Sequence, residues 1–152
     1  MNSQDMILGL MRSMGRADAL DLRARAGELD GTALIAEEEK IPAWDGGRDY
    51  SRWPAGAPVT DDGQVWVLLQ PHNAAHYAGR PASLRALWGL AHTKDPAMAK
   101  PFVAPLGTSG LYMAGECCTD GGAVFRCMTD NTAYSPAELP SAWVPAQSGA
   151  PQ

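Results

Sequence analysis

A repeated stretch constrains the fold of this chain more than any other feature. Residues 53–70 and 112–129 align without gaps at a constant offset of 59. Identical pairs include Gly56 with Gly115, Thr60 with Thr119, Asp61 with Asp120, Gly63 with Gly122 and Val65 with Val124. Each copy then ends in Pro-x-x-Leu-x-x-x-Trp, at an offset of 55. An ungapped match followed by a shared ending is typical of internal duplication, so we predict two tandem modules.

The pattern within each copy predicts a β-hairpin. In the first copy, residues 57–61 and 64–70 are expected strands around a turn at Asp61-Asp62-Gly63. In the second copy, residues 116–119 and 123–129 are expected strands around the turn at 120–122. The 16 Gly and 12 Pro also favour a loop-rich β architecture. The expected fold class is mainly β with an α-helical N-terminus, carrying two tandem small antiparallel β modules.

The N-terminal 40 residues have a different pattern. Residues 3–14 carry apolar side chains at helical spacing, and residues 17–29 can continue as a helix that ends near Gly27. Asp30 is placed to cap a third short helix that ends near Lys40, before a proline. The apolar stripes are narrow. Two interpretations remain open: the helices pack on the β region, or the first one anchors the protein or drives self-association into a homo-oligomer.

The chain divides into four expected segments. Residues 1–40 form a helical anchor or oligomerisation segment, residues 41–91 the first β module, residues 92–145 a connector with the second β module, and residues 146–152 a flexible tail. Prolines restrict the connector between the modules, so we expect the two modules to pack as one domain.

The duplication also predicts which side chains are buried, because strand residues alternate between the two faces of a sheet. One face of the return strand is apolar in both copies, with Trp66 and Leu68 matching Phe125 and Cys127. On the other face Val67 is replaced by Arg126, which indicates an exposed position. Cys118 stands where Val59 stands, so Cys118 and Cys127 are expected to be small buried side chains without a disulfide between them.

The aromatic residues fall into two groups. Equivalent places are occupied by Trp53 and Tyr112, by Trp66 and Phe125, and by Trp88 and Trp143, which we expect to fill the two small cores. Tyr50, Tyr77 and Tyr134 have no clear counterpart and lie in expected loops, where a ring can stack on a sugar. Trp44 lies between these groups. The candidate glycan-binding residues are therefore Trp44, Tyr50, Tyr77 and Tyr134.

Several function classes receive no support from the sequence. A net charge of −5 argues against nucleic-acid binding, and no apolar run is long enough for membrane insertion. We also expect no export through a signal peptide.

His72 and His76 have the i, i+4 spacing of some zinc sites, but a third ligand and the general-base Glu are missing, and His72 is expected to bond to backbone groups. No nucleophile elbow or phosphate loop is present, so we expect neither enzyme activity, metal nor cofactor.

Each module resembles the chitin-binding, type 5/12 carbohydrate-binding modules. The matching positions are Trp44, Trp53, Gly56, Val59, Gly63, Trp66 and Trp88 in the first module, and Phe102, Tyr112, Gly115, Cys118, Gly122, Phe125 and Trp143 in the second. Residues 28–145 as a whole resemble small phage and prophage proteins encoded among virion genes, with shared elements at 63–72, 92–113 and 134–144. The adjacent Trp residues that often follow the return strand in chitin-binding modules are replaced here by residues 70–72 and 129–131.

The resemblance implies a glycan-binding β module, present twice, in a virion protein made in the host cytoplasm. Its expected partners are host cell-surface polysaccharide and other virion proteins, in a tail fibre, head fibre or other decoration. The alternative is a purely structural virion protein, in which the β modules dock other virion proteins and the N-terminal helices anchor or oligomerise the chain. The helical extension and the missing adjacent Trp residues favour this alternative.

Overall fold

Two β-sheets and a short N-terminal helical segment make up the fold. The computed structural model describes residues 19–146. The chain is mainly β, as the hairpin patterns predict, with one sheet of three strands and one of four. The helix expected over residues 3–14 and the tail residues 147–152 lie outside the described part.

The first sheet is an antiparallel meander in the order β1-β2-β3. Its strands are β1 (Pro58–Asp61), β2 (Gln64–Leu68) and β3 (Trp88–Leu90). Asp62 and Gly63 form the β1–β2 turn with φ angles of 52° and 74°, and two positive φ angles are what a two-residue type I′ hairpin requires. The predicted hairpin is therefore confirmed. Strand β3 has only three residues, too few for an alternating pattern to predict it. Its first residue is Trp88, the tryptophan of the shared ending.

The second sheet has the order β4-β5-β6-β7. Its strands are β4 (Lys100–Pro101), β5 (Cys117–Asp120), β6 (Ala123–Cys127) and β7 (Trp143–Pro145). β4 pairs in parallel with β5, and the other pairs are antiparallel. Gly121 and Gly122 form the β5–β6 turn with φ angles of 60° and 84°. This hairpin is also the predicted one.

The strand registers of the two sheets correspond position by position. Val59 lies opposite Trp66 and Leu68 opposite Trp88 in the first sheet, while Cys118 lies opposite Phe125 and Cys127 opposite Trp143 in the second. The segments that enter the modules correspond as well. The backbone N–H of Trp44 donates to the Thr60 carbonyl (2.7 Å), and that of Phe102 donates to the Thr119 carbonyl (3.0 Å).

The N-terminal segment forms short helices over its described residues. Helix α1 covers residues 19–25, helix α2 is Gly31–Ala36, and 3₁₀ turns follow at Ala26–Glu28 and Glu38–Lys40. Asp30 caps α2 as predicted, since its carboxylate accepts a hydrogen bond from the Ala33 N–H (2.9 Å). Within residues 19–146, every helix is too short or too polar to cross a membrane.

These helices cover the outer face of the first sheet. A buried apolar cluster joins the helical segment to the strands; its members are Leu22, Ala26, Leu34, Ile35, Ile41, Val65 and Ala91. From residue 19 onward, the first of the two open interpretations is therefore confirmed. The prediction of an exposed outer face at Val67 is wrong, because Val67 is half-buried against this cluster. The strand pattern could not show which segment would cover that face.

The inner face of each sheet holds an aromatic core, as predicted. Trp66, Leu68 and Trp88 are buried in the first module, and Cys118, Cys127 and Trp143 are buried in the second. Phe125 is half-buried. All three cysteines are buried free thiols, and burial raises the pKa of Cys118 to about 12.

Polar contacts connect the two modules around the β1–β2 turn. The Gln64 side-chain amide donates to the Pro101 carbonyl (3.0 Å), and the Lys100 ammonium donates to the Gly63 carbonyl (2.9 Å). Further along the connector, the Lys94 N–H donates to the Thr32 hydroxyl (3.0 Å). The N-terminal segment and the β1–β2 turn therefore both contact the residues that lead into the second module.

Candidate functional site

Tyr50 is not an exposed loop tyrosine, and this expectation is wrong. Its side chain is 0% exposed and lies at the centre of the first core. Its ring makes edge-to-face contacts with Trp53 (centroids 4.7 Å apart) and Trp88 (5.2 Å), and its hydroxyl accepts a hydrogen bond from the Asp45 N–H (2.9 Å). Burial raises the pKa of the Tyr50 phenol. A ring enclosed in this way cannot offer its face to a sugar.

The structural counterpart of Tyr50 is Tyr112, which the sequence paired with Trp53. The Tyr112 hydroxyl accepts a hydrogen bond from the Val103 N–H (3.2 Å), one residue after Phe102, as Asp45 follows Trp44. The Tyr50 N–H donates to the His72 carbonyl (2.7 Å), and the Tyr112 N–H donates to the Thr132 carbonyl (3.0 Å). Tyr50 lies six positions before Gly56 and Tyr112 lies three before Gly115, so a constant offset cannot pair the two tyrosines.

Trp53 lies between Tyr50 and Gly56, and helix α1 covers it. The guanidinium carbon of Arg23, in α1, lies 3.5 Å from the Trp53 ring centroid. Burial, with Arg48 nearby, lowers the pKa of Arg23. One face of Trp53 is therefore occupied by a cation–π contact.

Tyr77 and Tyr134 are exposed, as expected. Tyr77 is 47% exposed and packs edge-to-face on His72 (centroids 5.3 Å apart). Tyr134 is 57% exposed, and its carbonyl accepts a hydrogen bond from the Trp143 indole (3.0 Å). Within residues 19–146, no ring contact joins the two tyrosines, which belong to different modules. They are two separate exposed rings.

Trp44 lies in the wall of a surface hollow, which we call the first hollow. The hollow has a volume of about 420 Å³ and is lined by Glu38, Trp44, Thr60, Asp61, Asp62 and Arg80, among others. Trp44 is half-buried, so part of its ring packs on the core and part faces the hollow. Its position follows from the backbone pairing with Thr60 at the sheet edge.

An arginine–carboxylate pair lies beside the Trp44 ring. The Arg80 Nε donates to one carboxylate oxygen of Asp61 (3.0 Å), while an Arg80 Nη donates to the other. The Arg80 guanidinium carbon lies 5.5 Å from the Trp44 ring centroid. Asp61 raises the pKa of Arg80, which stays charged in any case. The pair fixes hydrogen-bond donors and acceptors next to an aromatic surface.

The sequence points to Trp44 but not to Arg80, Asp61 or Asp62. Asp61 is identical in both copies, so it looked like part of the turn. A usable signal lies in the differences between the copies. The residue before the shared proline is Arg80 in the first and Ser135 in the second, and the turn residue Asp62 is replaced by a glycine. Asp61 therefore has a counterpart in Asp120, whereas Arg80 and Asp62 have no charged counterpart in the second copy.

The histidines contribute to structure. The Nδ1 of buried His72 lies 2.8 Å from the Gln70 carbonyl, as its predicted backbone contact requires. His92 stacks on Tyr112 (3.7 Å, 12°) and pairs with Glu116 (3.1 Å). Among the described residues, no group of three or more His, Cys, Asp or Glu side chains could hold a metal ion. The His92–Glu116 pair joins the connector to the second core.

No protein-family model matches this chain, and no curated protein sequence matches it either. The chemistry of the first hollow is the remaining indication of function. The hollow is concave and combines the partly exposed indole of Trp44, the hydrogen-bonded pair of Arg80 and Asp61, and the exposed carboxylate of Asp62. An aromatic side chain beside a few fixed polar groups is one feature of small-ligand sites.

Proposed function

We propose that this chain is a non-catalytic glycan-binding protein of a phage particle, and that it contacts polysaccharide on the host cell surface. The phage setting rests on the sequence resemblance. The observation that carries the glycan function is the first hollow, where Trp44 lies beside the paired Arg80 and Asp61. A sugar has an apolar C–H face and a rim of hydroxyl groups. The indole matches that face, and the guanidinium and carboxylate match the rim.

Binding at a single hollow of this size is expected to be weak, because the site is open and few polar groups are fixed. Many copies on one particle would compensate by avidity, which needs no additional contacts in each site. Tyr77 and Tyr134, exposed on separate parts of the surface, would add secondary contacts to a long polysaccharide.

We also propose that the two modules arose by duplication of one ancestral module. Support comes from the matching strand registers and from the shared bond between a buried tyrosine hydroxyl and the backbone after the entry aromatic. On this view the first module kept or acquired the polar hollow. The second module kept the fold, and Phe102 replaces the indole there.

The test is co-sedimentation of the full chain with chitin, peptidoglycan and intact host cells. Trp44→Leu keeps apolar bulk in the core but removes the indole surface, and we expect binding to fall at least about tenfold. Trp53→Leu is the matched control, because Trp53 is a half-buried tryptophan of the same core that is covered by Arg23. It is expected to lose stability to a similar extent and to retain binding. Equal binding by the wild type and both variants would remove Trp44 from the site.

One observation favours the alternative, a structural virion protein. The second module exposes apolar side chains at its closing strand and the neighbouring loops, including Met128 (53%), Tyr134 (57%) and Val144 (39%). These could dock on another virion protein, with the N-terminal segment anchoring or oligomerising the chain. Failure to sediment with any polysaccharide or cell, together with assembly into particles that Val144→Glu abolishes, would favour this function over glycan binding.

A further inference from the structure

A second hollow adjoins the first at the β1–β2 turn. Its volume is about 380 Å³, and it is lined by Asp61, Asp62, Trp66, Ala82, Phe102 and Val103, among others. Asp61 and Asp62 therefore line both hollows, which adjoin at the turn. The volume of each hollow lies within the range of ordinary small-ligand sites, and the two together form a surface longer than either one.

The far wall of the second hollow comes from the second module. Phe102 is half-buried, and its ring stacks on the core ring of Tyr112 (centroids 5.1 Å apart). The bond from the Gln64 amide to the Pro101 carbonyl holds this wall against β2. The stacking of Phe102 on Tyr112 and the hydrogen bond from Gln64 to Pro101 therefore hold the two walls of the hollow in place.

Most of the charged side chains that line the two hollows form ion pairs. Asp61 is paired with Arg80, and Glu38 is paired with Lys100 (2.8 Å). Asp62, exposed at the turn between the hollows, makes no ion pair with any described residue. Among the described residues that line the hollows, the unpaired charge is therefore that of Asp62, and the whole chain carries −5. The Arg85 guanidinium lies 5.0 Å from the Trp66 ring, but it is half-buried and donates to the Ala82 and Ala104 carbonyls. An anionic polymer would be repelled here, whereas an uncharged chain would not.

We infer that the glycan is an uncharged polysaccharide chain that crosses the β1–β2 turn and occupies both hollows, so that the two modules form one extended site. This inference rests on the proposed function. Trp44 provides the aromatic wall of the first hollow, and Phe102 provides that of the second. A single sugar unit would fill only one hollow, so affinity should rise with chain length until both are occupied.

The experiment titrates the full chain by calorimetry with two uncharged series, N-acetylglucosamine oligomers and maltose-type oligomers of one to six units. Ala82→Arg places a long side chain in the second hollow without removing a core residue, since Ala82 is exposed. Ala86→Arg adds the same charge at an exposed position outside both linings. Ala82→Gln provides a smaller block, and circular dichroism checks that each variant is folded.

We expect one series to bind more tightly with length, and Ala82→Arg to weaken the hexamer roughly tenfold while leaving the dimer unchanged. Ala86→Arg should bind like the wild type, and Ala82→Gln should fall between. Equal affinity for dimer and hexamer, or an equal effect of Ala82→Arg on both, would overturn the extended site but leave the glycan function intact. If no oligomer of either series binds, the inference is overturned, and co-sedimentation with cells decides separately whether the proposed function holds.

Discussion

Replacing Gly31 with alanine tests how the N-terminal segment docks on the connector. Gly31 is the first residue of α2, and a β-carbon there would lie 2.2 Å from the carbonyl oxygen of His92 and 3.0 Å from its nitrogen. Both are backbone atoms that cannot rotate away. The helix would have to shift on the order of 1 Å to restore ordinary contacts. That shift would strain the Thr32–Lys94 hydrogen bond and the packing of Leu34.

The expected loss follows from two opposing contributions. Alanine is favoured over glycine in a helix by about 1 kcal/mol, whereas forcing extra volume into a packed contact costs about 1–3 kcal/mol. Because the obstructing atoms are backbone, we expect the upper part of that range to apply. The Gly31→Ala variant should then lose about 2 kcal/mol of unfolding free energy, measured by urea denaturation with an unchanged slope.

Gly27→Ala is the matched control. Its β-carbon would meet only the Ala55 carbonyl, at an ordinary contact distance of 3.7 Å, and neither glycine has a positive φ. This variant should remain within about 0.5 kcal/mol of the wild type. If Gly31→Ala were as stable as Gly27→Ala, the close approach of α2 to His92 would be refuted.

Two further outcomes follow from the cores. Tyr50→Phe and Tyr112→Phe each remove the hydroxyl that accepts a backbone N–H, so each should cost about 1–2 kcal/mol in urea denaturation, and unequal losses would contradict their equivalence. Burial raises the pKa of Cys118 to about 12 from an ordinary value of 9.0. Between these values the unfolded chain binds fewer protons than the folded one, so stability should fall as pH rises above about 9. Cys118→Val, which restores the residue type of Val59, should lessen that loss, and an unchanged pH profile would contradict the assignment.

The hairpins could be predicted from the sequence because their determinants are local. The turn residues Asp62-Gly63 and Gly121-Gly122 adopt positive φ angles, and alternation identifies Trp66 and Leu68 as the buried face. Comparison of the copies adds to this, since a cysteine in the place of Val59 indicates a small buried side chain. These inferences need only neighbouring residues and a twofold repeat.

The errors in prediction concern contacts between segments distant in the chain. Tyr50 stands in an irregular stretch with no periodicity, and its burial depends on Trp88, 38 positions further along the sequence. Val67 is covered by helices that begin more than thirty residues earlier. In both cases the local pattern was compatible with exposure, and only the assembled fold supplied the covering surface.

The sequence by itself determined the two hairpins, their turns, the apolar inner faces and the absence of a disulfide framework, because each depends on residue type and short-range spacing. Tertiary structure alone decided that Tyr50 fills a core, that the N-terminal segment covers the first sheet, and that Arg80 lies beside Trp44. Arg80 reaches Asp61 and the indole through a loop whose path no periodicity encodes. A binding surface made of such loop residues exists only once the sheets and the segments packed on them have fixed their positions.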